Sequence, residues 1–138
     1  KKKVTGAFHD LSPTVDWNHS MVNLFADIVS DLEWRKERDL PDWAKAIFSP
    51  KMVAVGNVNT EEEMDQVVQM ALDNLDTYFE ELPKYTNDKH DTNLVKEKQN
   101  RYCHYQKQNP HTPKVMASLG LDPNDVEKFI HECLFPEV

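Results

Sequence analysis

Residues Thr60–Phe79 read TEEEMDQVVQMALDNLDTYF, and their spacing decides what kind of fold this chain can adopt. Thr60 followed by Glu61, Glu62 and Glu63 is a capping box: the Thr60 hydroxyl can accept from the backbone N–H of residue 63 while Glu63 reaches back to the cap amide. An acidic first turn also suits the positive end of the helix dipole. Met64, Val67, Val68, Ala71, Leu72, Leu75 and Phe79 then recur three and four apart, which predicts a helix with one apolar face, ending before Pro83.

Working upstream, Met52-Val53-Ala54-Val55 is short, continuous and apolar, the pattern of a strand covered on both faces. Lys36 to Pro50 is charged at first and broken by Pro41 and Pro50, so it reads as an ordered loop or a short helical turn held by Trp43, Ile47 and Phe48. From Trp17 to Trp34 the residues Trp17, Met21, Leu24, Phe25, Ile28, Val29 and Leu32 share a helical face, with Asp16 as N-cap. Val4 to Leu11 has no helical period and runs into Ser12-Pro13, which predicts a short strand stopped by proline.

Downstream, Lys84 to Asp91 is a polar loop and Thr92 to Gln108 a thinly apolar helix resting on Leu94, Val95, Tyr102 and Tyr105. Asn109-Pro110 breaks it, Thr112-Pro113 can start another helix, and Gly120 can stop that one. Asp122-Pro123 opens a last helix with Val126, Phe129, Ile130, Cys133 and Leu134 inward. Two strands make a poor sheet without a covering helix or further members, so other strands are expected from a part of the protein outside this chain.

A chain of 138 residues with 39% hydrophobic content is expected to be one modest domain over residues 1–138. No apolar run is long enough for a bilayer and Lys1-Lys2-Lys3-Val4 lacks the core of a signal peptide, so a cytoplasmic protein off the membrane is expected. Cys103 and Cys133 are expected as free thiols. A formal net charge of −8 argues against nucleic-acid partners, which require a basic surface. The charge is polarised: 59–82 holds acids at 61, 62, 63, 65, 73, 76, 80 and 81 and no Lys or Arg, whereas Lys84, Lys89, Lys96, Lys98, Arg101, Lys107 and Lys114 outnumber Asp88, Asp91 and Glu97. Such asymmetry can orient an acidic partner or an anionic ligand, or can be two solvated helix faces.

Signatures of nucleotide chemistry, serine hydrolases and zinc proteases are missing. Cys103-His104 and His131-Glu132-Cys133 lack the spacing of a zinc site, so no metal is expected. His9-Asp10 could be an acid/base pair, but neighbours on a strand point to opposite faces, which favours a solvent-facing or loop-capping role. The segment with most to offer a ligand is Gln99–Lys114, where Tyr102, Gln106, Asn109, His111, Thr112 and Lys114 surround a helix break. The same residues also suit a plain capped helix junction.

Several of these pieces, in order, are similar to the ferredoxin-dependent bilin reductases. His9-Asp10-Leu11-Ser12-Pro13-Thr14 resembles the end of a sheet strand in that family. Arg38-Asp39-Leu40-Pro41-Asp42-Trp43 with Ile47-Phe48-Ser49 resembles its Arg-acid-Leu-Pro-x-Trp loop, and Asn59-Thr60-Glu61-Glu62-Glu63 the start of the next helix. Tyr102-Cys103, Gln106, Asn109, Thr112, Val115 and Leu134-Phe135 resemble its C-terminal signature, nearest to the phycocyanobilin:ferredoxin oxidoreductases.

The resemblance implies an α/β fold, a three-layer α/β/α sandwich with a central antiparallel sheet, of which this chain supplies mainly the C-terminal helices and part of the sheet. It implies reduction of biliverdin to phycocyanobilin or phycoerythrobilin by single electrons from reduced ferredoxin, with protons from side chains and no bound cofactor or metal. Arg38 would hold a propionate, Asn109 would face the pyrrole-water network, Tyr102, Gln106 and Val115 would line the wall, and His111 stands where close relatives carry a propionate-binding lysine. Pro110 stands where they carry an aspartate, and a proline side chain can neither donate a proton nor accept a hydrogen bond. The family's catalytic aspartate and histidine lie upstream of the strand matched by Val4–Leu11, so the catalytic residues are expected before Lys1 and this segment alone is expected to be inactive. A bilin-binding protein without turnover, or an acidic helical interaction domain, are the other readings these residues allow.

Overall fold

The structure is a computed structural model that describes residues 4–12, 16–85, 89 and 91–138. Pro13 and Thr14, residues 86–88 and 90 of the expected polar loop, and Lys1-Lys2-Lys3 lie outside the described residues. The fold is α/β with helices predominating, and the chain forms two compact units, Lys1–Leu40 with Phe48–Lys89, and Pro41–Ile47 with His90–Val138.

In the first unit, β1 (Gly6–His9) pairs antiparallel with β2 (Val53–Gly56), in the register Gly6 to Gly56, Ala7 to Val55, Phe8 to Ala54 and His9 to Val53. All four residues of β2 are buried, as its apolar run predicts. The segment expected as a loop at Lys36 supplies a third line of pairing. Glu37 bridges antiparallel to Val55, Arg38 N–H donates to the Ala54 carbonyl at 2.8 Å, and Gly56 N–H to the Lys36 carbonyl at 2.9 Å. Its charged side chains conceal this in the sequence, because an edge segment need bury little.

One face of this sheet is covered by α1 (Ser20–Val29) and α3 (Glu61–Tyr85), around a core of Phe25, Val53, Val55, Val58 and Met70. α1 starts later than expected. Asp16 accepts from Asn18 N–H in a separate turn, and His19 caps the helix instead, its Nδ1 accepting from Met21 N–H at 3.2 Å. Trp17 therefore precedes the helix, and the buried α1 side chains are Val22 and Phe25. α3 runs through Pro83 to Tyr85 rather than ending before it. Proline costs one backbone donor in this last turn, and Tyr85 is held by the Ser20 hydroxyl and by the His19 ring, whose centroid lies 4.9 Å away.

Only half of the capping box forms. Glu63 N–H donates to the Thr60 hydroxyl at 3.2 Å, but the Glu63 carboxylate accepts from Arg35 N–H at 3.2 Å, tying α3 to the segment after α1. α3 packs through Glu63, Val67, Met70 and Asn74, while Met64, Val68, Leu72, Leu75, Phe79 and Leu82 form an exposed apolar stripe on another face.

The second unit contains α2 (Asp42–Lys45), α4 (Thr92–Gln106), α5 (His111–Ser118) and α6 (Pro123–Phe129), with a π-helical turn at Ile130–Leu134. α2, the short helical turn foreseen between the prolines, packs on α4, and α5 packs on α6. Gly120, at φ 84°, ends α5 with paired reverse bonds, Gly120 N–H to Ala117 and Leu121 N–H to Met116. Val126 and Ile130 are buried as expected; Phe129, Leu134 and Cys133 are exposed, contrary to the inward reading. The wider π turn, closed by Phe135 N–H to the Ile130 carbonyl at 3.0 Å, shifts the later side chains off the α-helical face. Among the described residues no helix is long and apolar enough to cross a membrane.

Candidate functional site

The six candidate binding residues fall in both units, Arg38 in the first and Tyr102, Gln106, Asn109, His111 and Val115 in the second. Arg38 is exposed, and its side chain lies across the sheet face opposite α1 and α3. Strand alternation puts Gly6 and Phe8 of β1 and Ala54 and Gly56 of β2 on that face. The guanidinium donates through Nη2 to the Thr5 carbonyl at 2.7 Å and sits 5.4 Å from the centroid of the exposed Phe8 ring. No ion pair joins it to a carboxylate of the described residues. A guanidinium has five N–H donors, so fixing one on a carbonyl leaves others for an anion.

Thr5, Gly6, Phe8 and Gly56, which complete this arrangement, were not singled out from the sequence. The signal lay in the pairing: an arginine beside a strand matters differently when two glycines face each other within reach.

In the second unit, Tyr102 and Gln106 stand one turn apart on α4, and Gln106 Nε2 donates to the Tyr102 hydroxyl oxygen at 2.9 Å. Gln106 is buried, and the exposed Tyr102 keeps its own O–H to donate. The Tyr102 ring meets Phe135 edge-on at 6.5 Å, which links two parts of the C-terminal signature. Asn109 Oδ1 accepts from His111 N–H at 3.0 Å, reaching past Pro110, which has no N–H of its own. That bond commits the amide oxygen to starting α5 and leaves the Asn109 NH2 as a donor. α5 thus begins at His111, before the expected Thr112-Pro113, and Pro113 falls in the first turn where its missing N–H is harmless. His111 and Val115 are exposed.

The basic segment is partly neutralised from within. Lys84 is hydrogen-bonded to Glu81, which raises its pKa. Lys107 reaches Glu137 at 2.7 Å, and that hydrogen bond holds the Glu137 carboxyl below its usual range. Arg101 donates to the Ala46 carbonyl and lies over the Tyr105 ring. Lys96 and Lys114 are exposed. Burial raises the pKa of Cys103, so it is a poor thiolate nucleophile at neutral pH.

His9 and Asp10 diverge, as strand geometry requires, but His9 does not face solvent. Its ring packs 5.6 Å from Phe25 and meets Asn74, while Asp10 accepts from the backbone N–H and hydroxyl of Ser49 and from the Ser12 hydroxyl. Asp10 thereby ties Ser49, just upstream of β2, to the end of β1.

Taken by itself, the first unit offers an anion the exposed Arg38 guanidinium on its sheet face, and the second offers a carbonyl the amide and phenol donors at its helix junction. A family model for ferredoxin-dependent bilin reductases matches residues 1–136, all but the last two positions. The chain belongs to the ferredoxin-dependent bilin reductases. Among curated proteins, no match is found. The family is one of oxidoreductases that take electrons from ferredoxin and act on bilins.

Proposed function

We propose that this chain forms the pigment-gripping part of a reductase that converts biliverdin to phycocyanobilin or phycoerythrobilin, using single electrons from reduced ferredoxin and protons from side chains. The observation that supports it is the exposed Arg38, held on the sheet by the Thr5 carbonyl and the exposed Phe8 ring. A bilin has an apolar conjugated body and two propionates, so it calls for apolar wall with a few placed donors. Arg38 takes one propionate as a paired donor, the geometry in which guanidinium exceeds ammonium. Phe8 offers apolar surface beside it. Within the second unit, considered separately, the Asn109 NH2 and the Tyr102 O–H are donors suited to lactam carbonyls, Gln106 orients Tyr102, and Val115 and His111 offer apolar and polar surface.

The complete protein has the family's sandwich, with its central antiparallel sheet between helical layers. With Pro110 at the helix break, no proton is delivered from that position, and the place of protonation decides which double bond is reduced.

The test is spectroscopic. The complete protein, mixed with biliverdin and reduced ferredoxin under anaerobic conditions, is expected to give stepwise absorbance changes ending in a phycobilin. A shifted, sharpened biliverdin band that never turns over would establish binding without catalysis. An unaltered pigment spectrum would leave the acidic interaction domain as the better account.

A further inference from the structure

We propose that Gly56 is a positioning residue for bilin binding: its missing side chain provides the trough in which Arg38 lies flat on the sheet. This rests on the reading of Arg38 as the propionate ligand. Gly6 and Gly56 face each other across β1 and β2, and both stand under the Arg38 side chain. A Cβ added at Gly56 would come within 2.8 Å of Arg38 Nε, with Nη2 at 3.5 Å and Cγ at 3.6 Å, all atoms of that one side chain. A Cβ at Gly6 would meet the Val55 carbonyl oxygen at 2.6 Å before it met Nη2 at 3.1 Å. The two glycines therefore differ in kind. Gly6 is required by the pairing of the strands, whereas at Gly56 the nearest neighbours are the arginine alone.

Real Cβ atoms do not approach a heavy atom to 2.8 Å. In Gly56→Ala the arginine side chain, anchored among the described residues by one hydrogen bond and the Phe8 ring, is the group free to move. Lifting it off the sheet breaks the bond to the Thr5 carbonyl and turns a fixed guanidinium into a mobile one. A mobile arginine must be ordered again on binding, so the substitution acts on ligand affinity through Arg38 rather than on the core.

The experiment titrates the complete protein with biliverdin and with biliverdin dimethyl ester, for the parent, Gly56→Ala, Arg38→Ala and the double variant. Gly56→Ala and Arg38→Ala are each expected to weaken biliverdin by on the order of tenfold. Neither should weaken the ester comparably, and the double variant should be no weaker than Arg38→Ala, because both changes act through one contact. The Arg38 Nε–Hε signal in the NMR spectrum should move and broaden in Gly56→Ala without ligand, while the backbone amides of α1 and α3 stay in place.

If Arg38→Ala weakens biliverdin and Gly56→Ala does not, Gly56 has no positioning role and the propionate reading stands. Equal loss for biliverdin and ester in Gly56→Ala, or additive losses in the double variant, also overturns the role by showing general damage. A parent that binds no biliverdin, or an Arg38→Ala that binds it fully, overturns the propionate reading itself and this proposal with it.

Discussion

The side-chain amide nitrogen of Asn74 on α3 lies 2.8 Å from Nε2 of His9 on β1. An amide nitrogen can only donate, so His9 Nε2 accepts and the ring is neutral, with its proton on Nδ1. Protonating Nε2 would set two donors against each other beside Phe25. Burial lowers the His9 pKa, opposed by the nearby charge of Asp10.

The consequence for stability has a definite sign. The unfolded chain takes up a proton at His9 near pH ~6.5, whereas the folded chain does so only lower down. The contribution is thus complete above that pH and declines as pH falls toward the folded value. Thermal unfolding of the parent and of His9→Gln, followed from pH ~8 to ~5, should show a smaller acid-side loss in the variant. Parallel curves would mean that His9 titrates alike in both states.

Glu62 and Glu63 are neighbours in sequence with opposite expected effects. Glu62 makes an ion pair with Arg35 at 3.9 Å, with side chains 89% and 66% exposed, and such pairs contribute little. Glu63 is buried, and one carboxylate oxygen accepts from Arg35 N–H. Glu63→Ala should cost about 1–2 kcal/mol in chemical denaturation, since the Arg35 amide loses its partner. Glu62→Ala should cost no more than about 0.5 kcal/mol. Equal midpoints for the two variants would contradict the tie seen here.

Asn109 carries a structural task and a proposed binding task on different atoms. Asn109→Ala removes the acceptor for His111 N–H and should cost about 1 kcal/mol of stability, the usual net value of one hydrogen bond. Asn109→Asp keeps that acceptor and loses the NH2 donor. It should therefore unfold like the parent while binding biliverdin more weakly. Unchanged affinity in the aspartate variant would confine Asn109 to capping.

How much of this the sequence disclosed depended on whether the deciding contact was local. Periodicity located α3 and α6 because a helix repeats its own pattern, and the apolar run 52–55 located β2 for the same reason. The start of α1 was missed because His19 and Asp16 are both able to cap, and only the fold chooses. The face of α3 that packs was also illegible. Its longest apolar stripe, Met64 to Leu82, stays exposed while Met70, Asn74 and Glu63 are buried, so periodicity gave the helix but not its orientation. At the candidate site, Asn109 was named from the helix break at Asn109-Pro110 and Arg38 from the family pattern. The partners that fix them, Thr5 and Phe8 for one and His111 N–H for the other, follow from strand register and from a proline lacking its amide.

The basic stretch from Lys84 to Lys114 is the expected docking face for acidic ferredoxin, and several of its cations are already engaged within the chain. Lys84 and Lys107 already hold Glu81 and Glu137, and Arg101 is engaged with the Ala46 carbonyl and Tyr105. The charge left for an acidic protein is carried by the exposed Lys89, Lys96 and Lys114 and the half-buried Lys98. Charges on an exposed face steer association and are screened within about 10 Å at ~0.1 M salt. In the complete protein, kcat/KM for reduced ferredoxin should fall as ionic strength rises from ~0.05 to ~0.5 M, mainly through the association step. Lys96→Glu with Lys114→Glu should lower the low-salt value several-fold and flatten the dependence, while Lys107→Gln should do neither. Turnover indifferent to salt in the parent would place the ferredoxin contact elsewhere, because opposite charges meeting across water cannot escape screening.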